Sequence, residues 1–282
     1  MPAGVVVLQL GLGLAALGLL AVMRPLAWLW LPTRQGGGAL LAAGLLLTIA
    51  GALLPAPDRR AGPRRRIDDF LPAYQFNEAH TAMVEAPPER VRAALLAVTL
   101  EDIRFASTLL AIRSLGRRRA PAEARRPILD VATSGSFLWL AQDDRELVVG
   151  SVGRFWQLRG SEPSGIRTAE EFTAFGRPGW AKAAMDFVIV PDGVGRTRIT
   201  TETRVAATDA AARRTFAAYW RLIYPGSALL RRMWLQAIKR RAESVPGPPT
   251  ADGGYHSRHG GQAHRPLGKS EAGPVVPEGL RR

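Results

Sequence analysis

Two uncharged apolar runs open the chain. Residues 4–23 carry one strongly polar side chain, Gln9, and residues 36–54 carry only Thr48. A helix rises 1.5 Å per residue, so about twenty residues cross about 30 Å of hydrocarbon. Both runs are apolar all round, which predicts a transmembrane hairpin rather than a buried helix pair in a soluble core. A cleaved signal peptide has a basic residue before its apolar core, whereas here the first arginine, Arg24, follows it. The connection, 24–35, holds Trp28, Trp30 and two prolines, a composition suited to a turn in the headgroup layer.

Past residue 73 the pattern is that of a folded body. Residues 74–84 read as a strand, closed by Ala86-Pro87-Pro88, whose prolines suit the first turn of a helix. Val91, Leu95 and Val98, then Ile103, Leu110 and Leu115, predict two short helices over 89–98 and 100–115. From Ile128 the period shortens to two. Strands are predicted at 137–141, 146–152, 155–158, 170–175, 180–190 and 196–206, with Asp143-Asp144 and Pro191-Asp192-Gly193-Val194-Gly195 as turns.

In the final hairpin Met185, Phe187, Ile189, Thr201 and Thr203 share one face, and Lys182, Asp186, Arg198 and Glu202 the other. The second face is expected to be solvated, with Asp186 and Glu202 in cross-strand pairs with Arg198 or Lys182.

The longest helical pattern comes last, over 208–243. Thr208 or Asp209 caps its start. Ala212, Phe216, Tyr219, Trp220 and Ile223, then Leu230, Met233, Trp234, Ala237 and Ile238, form one apolar stripe, with Arg231, Arg232, Lys239 and Arg240 turned elsewhere. Pro225 removes a donor and crowds the carbonyl of Arg221, a defect of about 3 kcal/mol inside a helix. A kink or break is therefore expected at 224–226, with Ser227 capping a fresh start.

Composition narrows the chemistry. There is no cysteine, hence no disulfide, thiolate nucleophile or cysteine-ligated metal. The net charge of +14 comes almost wholly from arginine and is clustered. Arg59, Arg60, Arg64, Arg65 and Arg66 follow the second apolar run with no acid among them, and residues 113–126 hold six arginines against Glu123.

The first cluster sets the expected orientation, body and amino terminus both cytoplasmic at the inner (plasma) membrane. It also forms a membrane-surface patch for anionic headgroups. No nucleic-acid reading element accompanies the second cluster, so no specific nucleic acid is expected as a partner. The partners expected are the lipid bilayer and a hydrophobic small molecule.

The phrases HTAMVEAPPERVRAALLAVTLEDIRFASTLLAIRSL, ELVVGSVGRFWQL, PGWAKAAMDFVIVPDGVGRTRITTETRV and ATDAAARRTFAAYWRLIYPGSALLRRMWLQAIKRRAE resemble the START-like (SRPBCC) superfamily, in particular bacterial proteins described as polyketide cyclase-like or lipid-transport-like. The resemblance covers about 76–243, rests on element order rather than a catalytic motif, and leaves the apolar hairpin outside. It implies an α+β helix-grip fold, a curved antiparallel sheet wrapped around a long kinked C-terminal helix, with a hydrophobic cavity between them.

The expected organisation is a two-helix transmembrane hairpin (1–55), a basic linker (56–73), a helix-grip domain (74–244) and a disordered tail (245–282). The candidate cavity residues are Trp139, Phe155, Trp156, Met185, Phe187, Thr201, Thr203, Phe216, Tyr219, Trp220 and Ile223. For any single aromatic, ordinary core packing is the favoured reading over cavity lining, and each threonine equally serves a neighbouring backbone group.

Glu78 and His80, two residues apart on one strand face, are the polar candidates for proton transfer. His256, His259 and His264 lie in the tail without fixed geometry, so neither metal nor cofactor is expected. The functional expectation is membrane-tethered binding or transfer of a lipid, isoprenoid or polyketide-like molecule. A cyclase or aromatase, and a non-catalytic scaffold with a filled core, are the alternatives.

Overall fold

A computed structural model describes residues 3–25, 33–60, 62, 65–103, 105–106, 108, 121–157 and 166–244. Trp28, Trp30, Arg64, Leu158, most of the expected 100–115 helix and of the basic stretch after it (109–120), and the tail with its three histidines lie outside the described residues.

Each apolar run forms a helix long and apolar enough to cross a membrane, α1 (Ala3–Met23) and α2 (Arg34–Leu53). Thr33 caps α2 by accepting a bond from Gly36 N, and Thr48 Oγ1 donates back to the Gly44 carbonyl at 2.8 Å. The two run antiparallel in backbone contact. A Cβ on Gly44 would stand 2.3 Å from Ala15 N, and one on Gly18 2.3 Å from Leu41 N. Gly11 and Gly18 on α1, and Gly37, Gly44 and Gly51 on α2, recur every seventh residue and permit this approach. Outward, Leu10, Leu19, Leu20, Leu46 and Leu53 are at least half exposed, an apolar surface built for apolar surroundings.

The body is α+β. β1 (Arg59–Arg60) pairs with β2 (Ala73–Tyr74), and α3 (Arg66–Phe70) lies between them in sequence. β3 (Phe76–Val84) leads through α4 (Pro88–Ala97), α5 (Pro121–Ala124) and α6 (Ile128–Thr133) to β4 (Leu138–Gln142) and β5 (Glu146–Gly153). α7 (Ala169–Ala174), β6 (Ala181–Pro191), β7 (Thr197–Ala207) and α8 (Ala210–Ser244) follow. The five longer strands form one antiparallel sheet in the order β3-β7-β6-β5-β4. The β6–β7 turn places Gly193 and Gly195 at positive φ, as its glycines require.

Two expected strands are absent from this sheet. Residues 170–175 fall in α7, because Thr168 and Glu171 form a reciprocal capping box that favours helix over extension. Residues 155–157 form a turn after β5. The helix Ile128–Thr133 stands where strand periodicity was expected to begin.

The helix α8 starts at Asp209, which accepts from Ala211 N at 2.7 Å and Ala212 N at 2.9 Å. The N–H groups of Ala212 and Gly179 hold its carboxyl below the ordinary range. Thr208 instead exchanges bonds with the backbone of Trp180.

Contrary to expectation α8 passes through Pro225 without a break. The carbonyl of Arg221, which Pro225 cannot satisfy, accepts from Gln9 Nε2 of α1 at 2.9 Å. Beside it the Arg221 guanidinium donates to the carbonyls of Ala52 (2.5 Å) and Leu54 (2.6 Å) at the end of α2. Three backbone acceptors left open by a proline and a helix terminus are thus met by two side chains, and hairpin and body are joined there.

α8 covers one face of the sheet. The other face, expected to be solvated, is covered by Ile67, Leu71 and Phe172 of the α3 and α7 region, packed on Val148, Val152 and Ala184. Asp186, Glu202 and Arg204 are buried there. Their partners are not Arg198 or Lys182. Arg65 contacts Asp186 at 3.1 Å and also Glu202, while Arg204 bridges Glu202 at 3.1 Å and Asp68 at 2.5 Å.

The linker folds back because a buried carboxylate needs a counter-charge: Arg65 supplies it to Asp186 and Glu202, while Asp68 pairs with Arg204. Two guanidiniums and two carboxylates balance, leaving Asp186 in excess. Burial raises its pKa to about 7 despite Arg65, with Glu146 and Asp68 adding to the rise and Arg204 opposing it. Arg65 is therefore a clamp of the body, a correction to its expected membrane-surface role. Arg59 contacts Asn77, whereas Arg60 and Arg66 remain exposed.

Candidate binding site under the C-terminal helix

Strand register decides which side chains meet α8. Pairing sets Phe76 opposite Val205, Glu78 opposite Thr203, His80 opposite Thr201, and Thr203 and Thr201 opposite Met185 and Phe187. All of these face α8.

The core they build has two lobes. In one, Phe216 and Trp220 pack on Phe76, with Phe155, Trp156, Tyr219 and Ile223 at the margin; the Phe76 and Phe216 rings lie 4.8 Å apart. In the other, Met185 and Phe187 pack with Trp234, Leu235 and Ile238, and Trp139 closes one side; Phe187 and Trp234 lie 5.0 Å apart. The structure thus divides nine of the eleven sequence candidates between two lobes rather than gathering them around one point, with Thr201 and Thr203 on the strand beside them. Thr201 is buried and donates to the Asp186 carbonyl at 2.8 Å, so its hydroxyl serves the sheet's own backbone.

A polar waist separates the lobes. Glu78, 3% exposed, accepts from Ser227 Oγ at 2.8 Å on one oxygen and meets His80 Nε2 at 2.7 Å on the other. Both polar candidates therefore lie under α8, paired with each other. Ser227 owes this place to its position, seven residues after Trp220 on the same helix face.

One turn on, Arg231 is half-buried, touching Met185 Sδ and stacking 5.5 Å from the Trp234 ring. Its expected outward orientation is wrong. Burial lowers its pKa against the pull of Glu78. Burial and the nearby Glu78 raise that of Tyr224. Lys239, likewise expected to turn away, reaches the Met83 carbonyl at 2.6 Å and Glu243.

Three buried polar atoms on this face have no hydrogen-bond partner: Trp220 Nε1 in the first lobe, Trp234 Nε1 in the second, and Ser151 Oγ on β5 beside Ala183. Among the described residues no group of three or more His, Asp or Glu side chains is placed to hold a metal ion. A groove of 340 Å³ lined by Phe70, Ala169, Glu170, Thr173 and Ala174 lies on the far side of the sheet, remote from these atoms.

The sequence places Glu78 and His80 on one strand face without deciding whether that face meets α8 or solvent, and it does not single out Ser227, Arg231 or Ser151 for this site. A signal for the first two existed in the 220, 227, 231, 234 spacing, and none existed for Ser151.

No family model matches the chain, and no curated protein does. Two solved structures resemble it. The TTHA0849 protein of Thermus thermophilus is 15% identical, with 60% of this chain and 97% of its own covered and a TM-score of 0.25. The hypothetical protein jhp0584 of Helicobacter pylori is 8% identical, with 67% and 99% covered and a TM-score of 0.30.

Proposed function

We propose that the chain is a membrane-anchored binder or carrier of a hydrophobic small molecule, a lipid, isoprenoid or polyketide-like compound, held between the sheet and α8 of a START-like helix-grip body. The observation that carries the reading is the set of unpartnered buried groups between the sheet and α8: the Trp220 and Trp234 indole N–H groups on α8 and the Ser151 hydroxyl on β5. A donor buried without a partner costs about 1–3 kcal/mol, and filled cores rarely leave several. A ligand whose apolar ends occupy the two lobes and whose oxygens accept from these donors supplies what is missing. In this reading α1 and α2 span the inner membrane, and the body and amino terminus face the cytoplasm, where the linker arginines lie.

The test is organic extraction of the full-length chain purified from its host membranes, as wild type and as Trp220→Phe, which keeps the ring and deletes the N–H. A species enriched on the wild type and depleted on the variant, against unchanged annular lipid, supports the reading. Identical extracts from both proteins overturn it.

The Glu78–His80 contact favours a second reading, proton transfer to or from the bound molecule by a cyclase-type enzyme. Incubation of the extracted species with wild type and with Glu78→Gln separates the two. A product formed only by the wild type makes the site catalytic, and an unchanged species leaves it a binding site.

A further inference from the structure

Within α8 the sixteen residues 215–230 carry a single charge, Arg221, and that side chain is turned into the end of α2. Arg213 and Arg214 precede this stretch and Arg231 and Arg232 follow it. On its outer side Leu222 is 58% exposed and Leu229 47% exposed, one heptad apart, with Pro225 exposed between them. Among the described residues no element of the body covers these leucines, although the inner side of the same turns is buried against the sheet.

We infer that the outer face of α8 around Leu222 and Leu229 is a membrane-insertion surface, in contact with the acyl chains just below the headgroups. Continuity with α1 identifies the occupant. Gln9 Nε2 bonds the Arg221 carbonyl at 2.9 Å and approaches that of Leu222 at 3.4 Å. Gln9 stands six residues into α1, about 9 Å along a helix axis. The Leu222 turn of α8 is therefore level with a point well inside the first span, not with its end.

The exposed leucines of α8 extend the exposed apolar surface of the hairpin. One arginine of each pair, Arg214 before and Arg232 after this stretch, is exposed, with a stem long enough to lay along apolar surface and a head that favours phosphate; Arg213 and Arg231 are held by the body itself. The body is thus seated in the interface rather than suspended from a linker, and the helix that covers the proposed ligand site touches lipid directly. The inference rests on the hairpin crossing a membrane.

The absence of native cysteine makes the test direct. Single cysteines replacing Leu222, Leu229, Leu46 (hairpin reference) and Gln236 (exposed α8 reference) are spin-labelled in the full-length chain. The chain is reconstituted in vesicles of phosphatidylcholine and phosphatidylglycerol. Relaxation enhancement by oxygen, which favours lipid, is compared with that by a water-soluble nickel chelate.

Labels at Leu222 and Leu229 are expected to resemble Leu46, with an oxygen-to-nickel ratio several-fold above that at Gln236. Ratios equal to Gln236 while Leu46 stays oxygen-rich overturn the insertion surface and leave the hairpin intact. A nickel-rich Leu46 overturns the membrane reading itself, and the insertion surface with it. The substituted leucines are exposed, so loss of fold does not confound the comparison.

Discussion

Gln9 and Pro225 lie 216 residues apart in sequence, yet they jointly decide how the Arg221 carbonyl is satisfied. Gln9→Leu removes the amide that bonds this carbonyl within a junction where Arg221 is 5% exposed. A polar group left there without a partner costs about 1–2 kcal/mol. Pro225→Ala restores a backbone N–H that bonds the same carbonyl from within α8, and also relieves the ring's crowding. In that background Gln9→Leu should cost little, so the two substitutions couple by about 1 kcal/mol. Unfolding of the full-length chain in mild detergent, followed by tryptophan fluorescence with Trp220 next to the junction, measures all four corners of the cycle. Equal costs of Gln9→Leu with and without Pro225 would refute the shared-carbonyl account.

Gly44→Leu should separate α1 from α2 and lower the midpoint of thermal unfolding markedly, because a Cβ there meets Ala15 N at 2.3 Å. Gly38→Leu, with nothing within 4 Å, should be silent in the same scan. Arg65→Ala leaves Asp186 and Glu202 short of a counter-charge and should cost about 2 kcal/mol in denaturant titration, after allowing for its partial exposure. Exposed Arg60→Ala should cost nearly nothing.

Asp186 holds a proton in the folded chain up to about pH 7 and releases it near 3.8 when unfolded. Its contribution is complete below that lower value and is lost as pH rises through 7. Stability should therefore fall by at most about 4 kcal/mol between pH 4 and 7. Asp186→Asn, which keeps the acceptor for Glu202 N, should flatten that profile.

The hairpin, the β6–β7 pair and the inward stripe of α8 were legible because each is written in local periodicity. The period of two fixed the faces of Met185, Phe187, Thr201 and Thr203 before any pairing was known. What covers the second face was not legible, since periodicity marks a side as polar without saying whether water or a folded-back linker meets it. Arg65 and Asp68 neutralise Glu202 and Arg204 across a sequence gap that no local pattern spans.

Pro225 shows the same limit. A proline inside a helix carries a local cost of about 3 kcal/mol, yet α8 runs on unbroken, and a residue of α1 satisfies the freed carbonyl. The misread strand at 170–175 is different in kind, since the Thr168–Glu171 capping box was present in the sequence and outweighed the apparent alternation. Glu78 and His80 were legible as a pair on a strand, and Ser227 and Arg231 became partners only once α8 lay across the sheet.

The central claim, that a molecule belongs between the sheet and α8, is tested most directly by native mass spectrometry of the full-length chain released from detergent micelles. The full chain is required, since Val5, Gln9 and Arg221 join the hairpin to the body. The account predicts a stoichiometric adduct of one defined mass that persists after annular lipid is stripped and is diminished by Trp220→Phe. A bare polypeptide mass from a folded, host-purified chain, with Trp220→Phe no less stable than wild type, would contradict it and leave a filled core under the helix.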